Sequence, residues 1–438
     1  MAAGKTSSRS ARTPSLGFGF AALAVVAAAI NLRAGIASVA PVIDDIATAF
    51  DVSAGTAGLL TALPGFLFAL MGWGAVPLAR RAGFTPVIAA GGALITAGLA
   101  LRPFVGGFPL FLVLTTAVVA GIAVGNVLLP AWIKTHVPHR QAVGLMSAYT
   151  AILGLSGAIA PLSALCFSGD AAWKWAIGVW AIPAVAQLVV WALALLRTGR
   201  DTPRGSETEN QEPASGTQAT AGAGSTAEER AARRAAAKAP LWKSPTAVAM
   251  LLFFGTQSSM AYTQMGWLPQ MLMDQGVSSG MASVTLAILG AFNVAGGVIM
   301  PQLAARMRRL TVVPVALAAL TFAGWLGVFA APAAAPILWG TLLGIGGMCF
   351  PLAIALLAQR TKSPLVTARL SGFVQPGGYL LAGLVPLVVG WLYGLTGGWA
   401  AALWLLMAMC AGLLLFGVRA TRDIYIDDEL AGSGAARS

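Results

Sequence analysis

The stretch LGFGFAALAVVAAAINLRAGIASVAPVI, residues 16–43, is long enough to cross a bilayer as a helix, yet Asn31 and Arg33 stand inside it. A guanidinium in the middle of a hydrocarbon span costs about 2.5–3.5 kcal/mol on insertion scales, so keeping one there needs a reason. Runs of similar length and apolarity recur to the far end of the chain. Its 438 residues are 58% hydrophobic and only 10% charged, whereas a soluble domain carries about 25% charged residues. Such a surface faces lipid, and the composition predicts an all-α membrane protein with many spanning helices.

Hydropathy places helices at 16–41, 56–79, 84–105, 109–133, 142–167 and 173–197, then at 245–270, 281–304, 311–331, 335–358, 366–393 and 398–418. Twelve spans result, six on each side of a long polar connection. The predicted units are an N-terminal tail (1–15), a six-helix half (16–197), a linker (198–244), a second six-helix half (245–418) and a C-terminal tail (419–438). The basic N-terminus followed by an apolar run could pass for a signal peptide. The run is longer than a typical signal core and eleven spans follow it, so it reads as a first helix that stays. The early linker is rich in Gly, Ser, Thr, Pro and Glu and reads as disordered; its AEERAARRAAAKA part could form a short surface helix.

With both termini inside, the cytoplasmic segments hold 24 of the 27 Lys and Arg residues. Arg102 and Lys174 fall outside, and Arg33 stays within a span. This bias predicts a multi-pass protein of the inner (plasma) membrane with both termini cytoplasmic. It also accounts for the net charge of +12 without nucleic acid, since no basic face interleaved with aromatics is present. Cys166, Cys349 and Cys410 lie in or at the edge of apolar runs without metal-like spacing, so neither a disulfide framework nor a metal site is expected. His136 and His139 flank Pro138 and read as a solvated basic turn. No GxxxxGK[ST] loop occurs and no nucleophile–base arrangement stands out, so an enzyme is not expected, nor a cofactor. The expected partners are a small-molecule substrate and the bilayer, with the chain a monomer.

The two halves echo each other at matching spans. PLARRAGFTPV follows span 2 and PQLAARMRRLTVVPV follows span 8. Span 4 holds GIAVGNVLLPAWI where span 10 holds GIGGMCFPLAIAL, and span 5 holds MSAYTAILGLSGAIAP where span 11 holds LSGFVQPGGYLLAGLVP. A six-plus-six duplication is how alternating-access carriers are built. The turn Leu78-Ala79-Arg80-Arg81 with Gly83 resembles the loop signature of the major facilitator superfamily, without its usual Asp. Within that superfamily the chain resembles the cyanate-porter (CynX/NimT-type) family. The matching pieces are NLR in span 1, LLTALP at 59–64, LLPAWIK at 128–134, GWLPQML at 266–272 and SGFVQPGGYLLAGLVP at 371–386. The family's Pro after the span-1 Arg is Ala34 here. The resemblance implies the major facilitator fold, and uptake or efflux of cyanate-like anions or nitroimidazole-like compounds.

None of the 15 acidic residues lies deep in a span, so a buried carboxylate relay is not expected; coupling through protein carboxylates would fall to Asp44 or Asp45 near the outer mouth. Arg33 is left as the sole buried charge. It reads either as a structural group or as a cavity-facing anion site, and with no acidic neighbour in the membrane the second reading is preferred. Asn31 lies about 200° round the helix from Arg33, so both face one cavity only if the helix unwinds near Gly35. Gln257 and Gln264 share a face of span 7 and suggest a wet stripe, with Tyr262 and Trp267 pointing elsewhere. Gln375 and Tyr379 share a face of span 11, and Tyr149 and Ser156 a face of span 5. Asn126 and Asn293 suit cavity or helix packing equally, and Gly121 with Gly125 suggests a close helix contact. The candidate substrate-binding set is therefore Arg33, Asn31, Asn126, Tyr149, Gln257, Gln264, Gln375 and Tyr379, with Arg80 and Arg81 as gating residues. A secondary transporter of a small polar or anionic solute is expected; the alternative is a broad-specificity multidrug exporter of the same superfamily, with Arg33 structural.

Overall fold

The computed structural model describes residues 17–169, 171–199, 201, 239–307 and 309–435. The N-terminal tail, nearly all of the linker including AEERAARRAAAK (227–238), Asp170 and Arg308 lie outside the described residues. The helices are Phe18–Ala37 (span 1), Ala54–Ala82 (span 2), Phe84–Leu101 (span 3), Phe108–His136 (span 4) and His139–Ile159 (span 5). Span 6 is broken into Ala172–Gly178 and Ala181–Thr198. In the second half come Pro245–Met273 (span 7), Ser279–Arg306 (span 8) and Val312–Ala330 (span 9). Span 10 is broken into Pro336–Gly346 and Cys349–Gln359, and Pro364–Thr396 (span 11) and Ala400–Thr421 (span 12) complete the bundle.

Local chemistry sets the ends. Ser53, Ser244, Ser278 and Ser363 each accept a hydrogen bond from a backbone N–H of the first turn of spans 2, 7, 8 and 11, as N-capping serines do. Gly83, with φ of 101°, turns the chain between spans 2 and 3, and Gly397 in the left-handed region closes span 11. Among the described residues, eleven helices are long and apolar enough to cross a membrane. Span 7 falls short on apolarity because it carries Gln257, Ser258, Ser259, Thr263, Gln264 and Gln270, all of them buried. Protein, not lipid, is its solvent.

The buried apolar residues segregate largely by half: one core joins spans 1 to 6, and another joins spans 7 to 12 and takes in Ile43 and Ala57 of the first half. Glycine lets helices touch inside each half. Gly121 of the predicted GxxxG pair lies against the Gly91 carbonyl of span 3, and Gly125 takes the Leu32 side chain of span 1. Between the halves, span 2 packs on span 11 and span 5 on span 8, the latter with Gly154 against Val294 and Gly290 against Ala158.

The sequence reading is corrected at several points. Arg102 is not in an outer loop: it is fully buried where span 3 ends, so Arg33 is not the only buried charge. Asp201, assigned to a disordered linker, is buried at the start of span 3. Its carboxylate accepts from the Thr85 N–H (2.8 Å) and hydroxyl (2.6 Å) and pairs with His136 Nε2 at 3.0 Å. His136 is therefore no solvated turn residue; it stacks on Trp132, whose indole N–H donates to the Thr85 hydroxyl. The C-terminal tail contributes a helix, Ile426–Ala435. Its Glu429 accepts from Ser244 and Thr246 at the start of span 7 and pairs with Arg419 at 2.7 Å. A short helix, Ile43–Ala49, likewise follows span 1 unannounced.

Candidate functional site

A cavity of about 770 Å³ lies between the halves, lined by spans 1, 2, 4, 5, 7, 8, 10 and 11. Its lining runs from the middle of the bundle, at Arg33, Phe68, Tyr149 and Tyr262, toward the face that carries the termini, at Pro130, Pro301, Ile354 and Ser371. Toward the other face the halves close on each other. Gly65 of span 2 and Gly383 of span 11 meet backbone to backbone, where a side chain on Gly65 would collide with the Gly383 main chain. One step further out, the Trp267 ring fills the space between Gly58 and Gly390, and its indole N–H donates to the Pro386 carbonyl at 3.0 Å. Trp267 is 2% exposed, so it belongs neither to a lipid-facing aromatic belt nor to the cavity. A smaller recess of about 310 Å³ lies on that outer side, lined by Asp44, Asp51, Gln270 and Tyr393 among others.

Among the described residues that line the central cavity, Arg33 is the one charged side chain. Span 1 stays helical through Ala37, so no unwinding presents it. Neighbours hold the backbone instead: Ser156 donates to the Ile30 carbonyl, and Arg102 Nη1 to the Gly35 carbonyl at 3.2 Å. Gly157 of span 5 packs beside the arginine stem: a Cβ there would stand 3.6 Å from Arg33 Cβ, an ordinary contact. The guanidinium makes no hydrogen bond or ion pair to a described residue. Tyr149, Tyr262 and Tyr379 line the same cavity. A fork of five donors on a wall shared with three phenols, with no carboxylate among the described lining residues to neutralise it, can take an anion.

The structure brings Arg33, Asn126, Tyr149, Gln375 and Tyr379 together on the cavity wall. Tyr149 donates to Asn126 Oδ1 at a long 3.4 Å, Asn126 donates to the Ile122 carbonyl, and Gln375 to Ser371 Oγ at 2.6 Å. Asn293 joins them from span 8. Three candidates are not on the wall. Asn31 is fully buried and donates to the carbonyls of Ala27 and, across to span 6, Pro183. Gln257 donates to the Gly347 carbonyl at 3.3 Å, where the break in span 10 interrupts the regular helix ladder. Gln264 is 1% exposed on the same buried stripe. The cavity face of span 7 is the neighbouring stripe of Ser258, Tyr262 and Met265, at i, i+4 and i+7. Tyr262, which sequence reasoning turned away, is thus a lining residue; the i, i+4, i+7 spacing was there to find it. Arg80 and Arg81 are exposed at the end of span 2 and form no ion pair among the described residues. Asp44 and Asp45 are exposed and lie outside the central cavity.

These features, a two-half bundle with a large central cavity between its halves and a seal at one end, can be set beside known proteins. The chain is 30% identical over 410 residues to the uncharacterized transporter YycB of Bacillus subtilis (strain 168), covering 92% of this chain and 93% of that one. It is 30% identical over 399 residues to the 2-nitroimidazole transporter of Escherichia coli (strain K12), covering 90% and 93%. With the cyanate transport protein CynX of the same organism the identity is 26% over 404 residues, covering 91% and 96%. Among solved structures, the D-xylose-proton symporter superposes with a TM-score of 0.70 at 15% identity, over 94% of this chain and 99% of that one, a likeness of fold alone. Residues 21–346 match the Major Facilitator Superfamily, and with that match over most of its length the chain belongs to this family of multi-pass membrane transporters.

Proposed function

We propose that this chain is a secondary active transporter that carries a small polar or anionic solute through the central cavity by alternating access, with Arg33 as the solute's charge partner. Arg33 carries this reading: a half-buried guanidinium within the membrane span, on the cavity wall and with no carboxylate partner among the described residues, is suited to a solute with negative charge. Tyr149, Asn126, Gln375 and Tyr379 supply hydrogen bonds and ring contacts around it. The relatives named for 2-nitroimidazole and cyanate support a nitroimidazole-like or cyanate-like solute.

The concentration of Lys and Arg on the terminal face supports both termini lying in the cytoplasm of a bacterial inner membrane. In that orientation the structure corresponds to the inward-open state, sealed outside by Gly65–Gly383 and Trp267. Rocking about the span 2–span 11 and span 5–span 8 contacts would part the seal and close the inner side. In the multidrug-exporter reading Arg33 is structural, but its guanidinium has no structural partner among the described residues.

The test is counterflow into proteoliposomes with cyanate, nitrate, short carboxylates and a nitroimidazole, comparing wild type with Arg33→Ala and Arg33→Lys at matched insertion. Saturable transport of an anion, abolished in Arg33→Ala, supports the proposal. Transport that survives Arg33→Ala, or extrusion of unrelated neutral dyes, defeats it.

A further inference from the structure

Beneath the outer seal three aromatic rings from three spans face the cavity. Phe68 of span 2 lies 5.3 Å from Tyr379 of span 11 and 6.3 Å from Tyr262 of span 7, and the two tyrosine rings are 6.3 Å apart. Their planes are inclined by 41–43°. Behind them Phe254, fully buried, stands nearly perpendicular to Tyr379 at 5.1 Å and fixes its ring. The hydroxyls of Tyr262 and Tyr379 make no hydrogen bond to a described residue, and Arg33 lines the same cavity. One wall of the site is therefore aromatic, and a cationic fork adjoins it.

These two elements discriminate between kinds of anion. A triatomic inorganic ion can use the guanidinium but leaves the ring wall uncovered. A saturated carboxylic acid covers area but has no π system to offer inclined rings. A flat ring bearing an anionic group satisfies both: its faces and edges suit offset and tilted aromatic partners, while the anion takes paired donors. We propose that the cavity is built for a single-ring aromatic anion, its carboxylate on Arg33 and its ring against Phe68, Tyr262 and Tyr379. This rests on the reading of Arg33 as the anion's partner and narrows the substrate class.

The geometry also gives such a ligand leverage on the transport cycle. Phe68 belongs to one half, and Tyr262 and Tyr379 to the other. Phe68 lies three residues along span 2 from Gly65, which meets Gly383 in the seal. A ring seated on the three bridges the halves only while the seal is closed, so it favours the state with the outer side shut.

Titration calorimetry of the purified full-length protein in detergent at pH 8 tests this, with benzoate, cyclohexanecarboxylate, acetate and neutral benzyl alcohol as probes. Benzoate should bind about tenfold tighter than cyclohexanecarboxylate, the size of a favourable aromatic contact, and acetate more weakly still. Phe68→Leu and Tyr379→Leu should bring the benzoate-to-cyclohexanecarboxylate ratio close to one while both variants, somewhat less stable for the lost ring contacts, still unfold cooperatively well above the titration temperature. Equal binding of the two acids, stronger binding of acetate, no benzoate binding by folded protein, or a ratio unmoved in both variants overturns the proposal. Benzyl alcohol binding as well as benzoate, or benzoate binding unchanged in Arg33→Ala, instead removes the charge-partner reading beneath it.

Discussion

Arg102 Nη1 donates to the Gly35 carbonyl at 3.2 Å, and this bond explains a charge that has no acidic partner. Span 1 ends at Ala37, and the N–H of Val39 turns to the Ile36 carbonyl. The Gly35 carbonyl is left without its usual partner four residues on, and a cation at a helix C-terminus suits it. Yet Nε and Nη2 of the same guanidinium, fully buried, find no acceptor.

The balance of these terms makes a prediction. Arg102→Ala loses the cap and leaves a cavity, and we expect a loss of about 2–4 kcal/mol. Arg102→Met fills the space and removes two unsatisfied donors, so its stability should stay within about 1 kcal/mol of wild type. Thermal unfolding in detergent compares them. A Met variant as unstable as the Ala variant would mean that the capping bond outweighs the packing.

The seal makes a second prediction. A Cβ at Gly65 meets the main chain of Gly383, which cannot swing aside as a side chain can. Gly65→Ala should therefore oppose closure of the outer side by about 1–3 kcal/mol, the cost of overpacking, and shift the state equilibrium about 5- to 150-fold. Labelling of a cysteine placed at Thr61, in a Cys166→Ser background, by an impermeant maleimide should rise while transport falls. Unchanged labelling would show that the spans separate there at little cost.

Asp201 gives a pH-dependent prediction. Burial would raise its carboxyl, but hydrogen bonds from His136 and Thr85 outweigh that and hold it below its ordinary 3.8. With the folded value below the unfolded one, its contribution is full above about pH 4 and is lost as pH falls through the folded value. Asp201→Asn should cost about 1–2 kcal/mol at pH 7, as a lost helix cap does. The gap from wild type should narrow below pH 4. Unfolding temperatures of both proteins between pH 3 and pH 7 measure it, and a gap that widens in acid would contradict this account.

The spans were legible because hydrophobic length is a property of the chain alone: all lie within a few residues of their expected places except span 5, whose α-helix ends at Ile159 and runs on to Cys166 as a tighter 3-10 turn. Arg33 was legible for the same reason, as a charge where a charge is costly. What could not be read was direction within a polar helix. Ser258 and Gln257 are 100° apart on span 7, and only the break in span 10 at Gly347 and Met348 decides which of them faces protein. Arg102 and Asp201 escaped for a related reason: each sits at a segment end that looks exposed in sequence and is covered by a helix from elsewhere, span 1 in one case and span 3 in the other.

The two glutamines that sequence patterning treats alike give the sharpest comparison. Gln257 bonds the Gly347 carbonyl inside the second half, whereas Gln375 stands on the cavity wall with Ser371 as its one hydrogen-bond partner among the described residues. Gln257→Leu strips a partner from a buried carbonyl and should lower stability by about 1–3 kcal/mol. Bound solute affinity should change less than twofold. Gln375→Leu should leave the unfolding temperature within about 2 °C, since its bond is local and half-exposed, and should weaken solute binding severalfold. Parallel unfolding and calorimetric titrations measure both quantities on the same samples. If Gln257→Leu loses affinity at unchanged stability, the wet stripe of span 7 faces the solute after all, and the cavity wall must rotate during transport to expose it.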